Sequence, residues 1–252
     1  MRRVVKIGGR AQSEASLPQE LANVAASGAE LVVVHGGGDE VSAFQRRLGA
    51  EPTFVGGRRV TTEDDLEIVR MVLSGTVNKR LVRQLLDCGV AAVGLSGEDG
   101  GMLPALPLDG GALGAVGEPT TADARPIEAL LSAGFVPVVS PLGRHAETGL
   151  GLNINGDDAA AAIAGALRAD ELLLLADVPG VRDASGAIIP SITIDAVDKL
   201  ISSGVAQGGM SAKLQAARRA INSGVAAVRI SDVTALADPA AGTRLTSVHS
   251  PA

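Results

Sequence analysis

The sequence predicts an α/β protein built on a mainly parallel sheet flanked by helices, and three observations lead there. Short β-branched runs alternate with longer segments of helical periodicity, the pattern of strands joined by crossover helices. The strand-like runs are nearly continuous in apolar residues, as strands buried on both faces are. Of 252 residues, 46% are apolar and 20% charged, enough for a large core in one or two domains.

Six segments read as buried strands: 4–7, 31–35, 91–95, 136–140, 171–176 and 226–230. Helical spacing covers 17–27 and 39–48. The strongest helix starts at Thr62, whose hydroxyl and Asp65 form a capping-box pair; Leu66, Val69, Leu73, Val77, Leu81 and Leu85 carry its apolar face as far as Gly89. Further helices are expected at 127–133, 158–168, 194–203 and 210–223, the last ending before Gly224. Residues 53–61 and 100–119 break this rhythm and are expected to be β-hairpin excursions, where lids over substrates often sit. A boundary near Ala169 divides the chain into lobes of 1–168 and 169–252, with the alternative that one sheet runs through both.

Composition narrows the function. With 22 Lys and Arg against 28 Asp and Glu, the net charge of −6 speaks against nucleic acid or an anionic membrane as partner. Trp and Tyr are absent, so platforms for stacking bases cannot be built. The single Cys88 excludes an internal disulfide and fits a reducing cytoplasm. His35, His145 and His249 are too few for a histidine-based metal centre, and no metal-ligating residues are assigned. No apolar run resembles a signal peptide or approaches the ~20 residues of a membrane span, so a cytoplasmic location is expected.

Two glycine-rich turns follow the first two strands, one at Gly8 and Gly9 and the other at Gly36, Gly37 and Gly38. Such turns let the main chain approach a ligand and aim N–H groups at an anion. Neither a P-loop nor a GxGxxG pattern is present, so a phosphate site here is of another kind. Lys6 ends an apolar strand, which is costly unless it meets an anion; the alternative is a surface cation on an edge strand. Lys213 lies in the first turn of the helix expected at 210–223, after Gly208, Gly209 and Met210, where the helix dipole disfavours a cation. Its alternative is a solvated lysine on an amphipathic helix. Asn153, Asn155 and Asp157 alternate before an Ala-rich helix: Asp157 is either its N-cap or a carboxylate orienting two ammonium groups. Arg59 can offer a fork to a carboxylate, while Arg58 points to the other side of the strand, one of the pair being only solvated.

The segments KIGG, VHGGG, GRRVT, MVLSGTVNKRLV, VGLSGEDGG, NINGD, ADVPGV and GGMSAK occur in the order and approximate spacing of the N-acetylglutamate kinases, within the amino-acid kinase superfamily. The chain resembles that family over nearly its whole length. The resemblance implies a three-layer αβα sandwich, the amino-acid kinase fold, with residues 1–168 binding the acylated amino acid and 169–252 binding ATP. It implies transfer of the γ-phosphoryl group of ATP to the side-chain carboxylate of N-acetyl-L-glutamate in arginine biosynthesis, with Mg²⁺ held mainly by phosphates and water. Lys6 and Lys213 match the lysines that contact the transferring group, and Asp157 the carboxylate that positions both. Gly8 and Gly9, with Gly37 and Gly38, match the glycines at the phosphoryl oxygens, the latter pair beside the substrate. Arg59 and Asn153 match the clamp on the substrate α-carboxylate, and Asn155 the second amide. Asp177, Gly180, Gly209 and Met210 fall on the ATP side.

The chemistry agrees with that match. A carboxylate acceptor with a pKa of about 4.3 is already ionised at neutral pH, so the reaction needs no general base. It needs positive charge around the transferring group. The chain departs from the family pattern at Ala176, where Ser is common, and at Gly156, where Ala is common and where Gly also occurs in kinases for carrier-linked aminoadipate or glutamate. Arg10 adds a cation beside the first glycine turn. The chain opens on its first strand, without the N-terminal helix of arginine-inhibited hexamers, so the resemblance leads to the expectation of a homodimer without strong arginine feedback. The competing readings are a kinase for carrier-linked aminoadipate or glutamate, one for N-succinylglutamate, and a silent regulatory or binding module.

Overall fold

Val4 on β1 (Arg2–Ile7) belongs to one hydrophobic core, and Val5 and Ile7 to another. That division follows from the two-residue pleat of a strand covered on both faces. The computed structural model describes residues 1–247; His249 and the end of the second expected lobe lie outside the described residues.

After β1 come α1 (Leu17–Ala26), β2 (Glu30–His35), α2 (Gly38–Arg47) and a hairpin of β3 (Phe54–Val55) and β4 (Arg58–Arg59). Then follow α3 (Glu63–Arg70), a π-helical stretch over Met71–Val77, α4 (Asn78–Asp87), β5 (Ala92–Ser96), β6 (Pro104–Pro107), β7 (Val116–Pro119) and α5 (Arg125–Ser132). β8 (Val136–Ser140), β9 (Leu142–His145), β10 (Gly151–Ile154), α6 (Gly156–Ala166) and β11 (Glu171–Leu175) lead into the C-terminal part. It contains β12 (Ser191–Thr193), α7 (Val197–Ser202), α8 (Gly208–Asn222), β13 (Ala227–Ser231) and β14 (Thr243–Thr246).

Eight strands form one sheet in the order β12-β14-β13-β11-β1-β2-β8-β5, parallel throughout except for β13 with β14. Ile127 of α5, Ala160 of α6, Val197 of α7 and Leu214 of α8 fill the core on one face; Leu21 of α1, Val41 of α2, Val69 of α3 and Leu81 of α4 fill the other. The three-layer αβα sandwich is therefore present. Because β1 pairs with β11 across the 168/169 boundary, the two halves share a continuous sheet. From β1 the chain moves to β2 on one side, while β11 and β13 lie on the other. At such a switch point the carboxyl ends of the strands leave a crevice.

All six expected sheet strands are found, and the Thr62 capping box forms as read. Two expectations change. The helix from Thr62 to Gly89 is not continuous α-helix, since Met71–Val77 widens to π geometry. The excursion at 100–119 does pair as an antiparallel hairpin, β6 with β7, yet it is no free lid: β9 and β10 close it into a four-stranded barrel. Met102, Leu103 and Ala105 are fully buried, which ties this segment to the core.

Candidate active site

The head of α6 organises the site. Asn155 has extended backbone, and its Oδ1 accepts from the N–H groups of Asp157 at 2.9 Å and Asp158 at 3.3 Å. The cap is thus filled by Asn155, which leaves the Asp157 carboxylate free for other partners. Lys6 Nζ lies 2.9 Å from Asp157 Oδ1, and Lys213 Nζ donates to both carboxylate oxygens at 3.1 Å. Lys6 comes from the middle of the sheet rather than an edge and is buried. Lys213 stands in the second turn of α8, because that helix begins at Gly208 rather than at 210. What sets it apart is burial beside an acid, and the dipole argument weakens accordingly.

Burial alone would raise the Asp157 pKa, but Lys6 and Lys213 outweigh it and hold the carboxyl down at about 2. Burial, reinforced by Lys6, brings the Lys213 ammonium down to about 8 against the pull of Asp157. The cluster carries two cations and one anion at neutral pH, a net positive spot prepared for an anion.

A cavity of about 560 Å³ opens at the carboxyl ends of β1 and β11. Its wall includes Lys6, Lys213, Gly8, Gly9 and Asp177, with Gly209 and Met210 at the start of α8. Arg10, whose role the sequence left open, donates to Asp177 at 2.6 Å across this cavity wall and keeps that carboxyl below its usual pKa. Gly180 lies elsewhere: it is buried, and a side chain there would strike Thr243 Oγ1 at 2.9 Å, so its place is in packing against β14.

A second cavity of about 200 Å³ shares Gly38 with the first. Gly37, Arg59, Asn153, Asn155 and Gly156 border it. Gly37 has φ +153, and a Cβ there would come within 2.7 Å of Leu73 Cδ2 in the π-helical stretch, so no side chain fits. His35 steadies the same turn from below. Asn78 Nδ2 donates to its Nε2 at 3.2 Å, which leaves Nδ1–H to donate to the Gly36 carbonyl at 2.8 Å. Burial lowers the His35 pKa to about 4, so the ring is neutral at physiological pH and acts as a fixed strut.

Arg59 is buried, stacks 4.8 Å over the Phe54 ring, and donates through Nη2 to Gly38 O at 2.8 Å and Ser42 Oγ at 2.7 Å. Its Nη1 donates to Gln45 Oε1. Asn153 Nδ2 donates to Thr61 Oγ1 at 3.0 Å, tying the amide to the base of the hairpin. Neither arginine of the pair is merely solvated. Arg58 Nη2 donates to buried Asp158 at 3.1 Å, and Arg219 of α8 donates to the other oxygen of the same carboxylate. Sequence reasoning missed Ser42, Gln45, Asp158 and Arg219. Asp158 reads as an ordinary acid in a helix first turn, and the partners from α2 and α8 are distant in sequence.

The amino acid kinase family model matches residues 1–232. Curated relatives named acetylglutamate kinase include that of Paracoccus denitrificans, 44% identical over 233 residues covering 91% of this chain and 76% of the relative. That of Methanopyrus kandleri is 46% identical over 230 residues, covering 88% of this chain and 91% of the relative. Among solved structures, smu.665 from Streptococcus mutans superimposes with a TM-score of 0.89 at 32% identity, covering 98% of this chain and 99% of that one. Giardia carbamate kinase, at 16% identity and a TM-score of 0.76 over 98% of this chain and 99% of its own, shares the fold. Sheet, switch-point crevice and sequence likeness agree: the chain belongs to the amino acid kinase family.

Proposed function

We propose that this chain transfers the γ-phosphoryl group of ATP to the side-chain carboxylate of N-acetyl-L-glutamate, forming N-acetyl-L-glutamyl 5-phosphate for arginine biosynthesis. One observation carries the reading: two cavities, one larger and lysine-lined, one smaller and arginine-lined, meet beside the Lys6–Asp157–Lys213 cluster. ATP takes the larger cavity through Gly8, Gly9, Asp177, Gly209 and Met210, formed largely by residues 169–252 together with the first glycine turn. The acylated amino acid takes the smaller one, within residues 1–168, with Gly37, Gly38, Arg59, Asn153 and Asn155 around it. Val41, Val69 and Val116 give that cavity an apolar side suited to a short acyl group.

An ionised acceptor oxygen forms its bond to the γ-phosphorus as the bond to the β–γ bridging oxygen breaks, and the electron pair leaves with ADP. No proton has to be removed from the acceptor. Lys6 and Lys213 stabilise the charge that spreads over the transferring oxygens, and Asp157 keeps the two ammonium groups in place before ATP arrives. Mg²⁺ accompanies the nucleotide. It would be held mainly by the phosphates and water and would add positive charge at the transferring group. A homodimer in the cytoplasm belongs to the same reading. The sheet ends on β5, which among the described residues pairs only with β8, leaving an open edge; no described helix is long and apolar enough to cross a membrane.

A hydroxylamine trap for acyl phosphate tests the reading, with ATP and Mg²⁺ and with N-acetyl-L-glutamate, N-succinyl-L-glutamate, free glutamate and aminoadipate as acceptors. Hydroxamate from acetylglutamate alone, lost in Lys213→Ala, is the expected result. Product from succinylglutamate instead reassigns the acyl group. No product from any free acid overturns the reading and favours a carrier-linked acceptor or a silent relative.

A further inference from the structure

Arg58 and Arg59 are neighbours in β4, so the pleat turns them to opposite sides, and different helices hold them. Arg59 donates twice through Nη2, to Gly38 and Ser42, and once through Nη1, to Gln45, all on α2. Arg58 is held through Nη2 alone, by Asp158 at the head of α6. Its Nη1 is buried and has no hydrogen-bond partner. Two other buried side-chain atoms among the described residues share that condition, Arg3 Nε and Glu171 Oε2, and they face each other as an ion pair at 2.6 Å. Arg58 Nη1 has no such explanation. A buried cationic donor without an acceptor is unfavourable, and a ligand oxygen would relieve it.

Arg58 also borders the smaller cavity, whose wall contains two arginines and no carboxylate. A cavity so lined suits an anion. We propose that Arg58 is a second cation in the clamp on the acceptor's α-carboxylate, its Nη1 donating to one carboxylate oxygen while Asp158 fixes the guanidinium through Nη2. Arg58 then adds one donor to the clamp formed by Arg59 and Asn153. The proposal rests on the acceptor being a free N-acylglutamate, as proposed above. Asp158 also accepts from Arg219 of α8, so the clamp is joined to the helix that carries Lys213.

The test compares wild type with Arg58→Gln and Arg58→Lys on two ligands: N-acetyl-L-glutamate, and N-acetyl-L-isoglutamine, which differs in having an α-carboxamide. Each is assayed as acceptor and as competing ligand, beside a thermal melt of each variant. Arg58→Gln is expected to raise the KM for acetylglutamate about 10- to 100-fold, the loss of a charged hydrogen bond, while kcat and the affinity for the amide change little. Arg58→Lys keeps the charge and recovers part of the loss. If Arg58→Gln does not fold, Arg58→Lys carries the comparison, with a smaller loss confined to the carboxylate ligand. Equal weakening of both ligands, or an unchanged KM, in an active folded enzyme overturns the role of Arg58 alone. A wild type that forms no product from acetylglutamate overturns the acceptor reading and the proposal together.

Discussion

Two adjacent carboxylates in the first turn of α6 hold different cations. Asp157 is shared by Lys6 and Lys213, while Asp158 is shared by Arg58 and Arg219. A lysine ammonium is compact, with three donors on a flexible stem, so it can turn from a carboxylate toward phosphoryl oxygens as charge moves. A guanidinium is a planar fork that holds a carboxylate in fixed geometry. On the proposed reading, one residue of sequence thus separates the cations that meet the transferring group from the cations that border or brace the acceptor cavity. The difference teaches that the two cavities should fail in different kinetic constants.

The largest expected effect comes on the lysine side. Lys6→Ala and Lys213→Ala should each lower kcat by about 10²- to 10³-fold, the size of one lost electrostatic donor, with smaller changes in acceptor KM. Arg59→Ala should do the reverse, raising acceptor KM by about 10- to 100-fold with kcat nearly kept. Steady-state kinetics with both substrates varied decides it. A lysine variant whose loss lies wholly in acceptor KM would break the division between the cavities.

The pH dependence sharpens it further. In the proposed reaction Lys213 acts as a cation, and burial holds its pKa at about 8 in the free enzyme, so kcat/KM for ATP should hold below that value and fall about tenfold per pH unit above it. Stability moves the other way. The folded pKa lies below the ordinary 10.5, so between about 8 and 10.5 the unfolded chain binds the proton more tightly and folding gains with rising pH. Asp157, held at about 2 against 3.8, adds stability that is present above about 4 and lost as pH falls through about 2. Lys213→Arg should remove the alkaline limb from the kinetic profile, because a guanidinium stays charged. A limb that persists in that variant assigns it to another group.

How far the sequence could be read depended on how local each cause was. The sheet strands and the Thr62 cap were legible because apolar runs and capping pairs are written within a few residues. Lys6 stood out because a cation ending an apolar strand is costly, and Lys213 because it follows a Gly-Gly turn, whereas Asp157 read equally as an ordinary N-cap and took its role from the resemblance. The barrel strands β9 and β10 were not legible: they are short, and although they pair with each other, their remaining partners are the distant β6 and β7. The π-helical stretch was hidden because its apolar spacing continues the helical pattern on both sides, and its role appears only where Leu73 meets Gly37. The Asp158 pairings were hidden for the same reason of distance, since Arg58 is 100 residues away and Arg219 is 61.

The smallest expected effect tests the boundary between the two carboxylate systems. Gly156 begins α6 beside Asp157, and a Cβ there would lie 3.1 Å from Lys6 Cε and 3.5 Å from the His35 carbonyl. Its φ is not in the left-handed region, so Gly156→Ala brings no backbone strain. Alanine favours helix over glycine, by up to about 1 kcal/mol in a helix interior and less at this first position. Lys6 has to yield by a few tenths of an ångström, and its ammonium is already held by Asp157. A displacement of that size should lower kcat by roughly 3- to 10-fold, since positional errors near 1 Å at a reacting centre cost about 10²-fold. Acceptor KM should change less than kcat: Gly156 borders the smaller cavity, yet the added Cβ faces Lys6, and Arg58, Arg59 and Asn153 are untouched. Thermal melts and two-substrate kinetics measure both sides at once. A larger change in acceptor KM than in kcat would show that Gly156 belongs to the arginine side of α6.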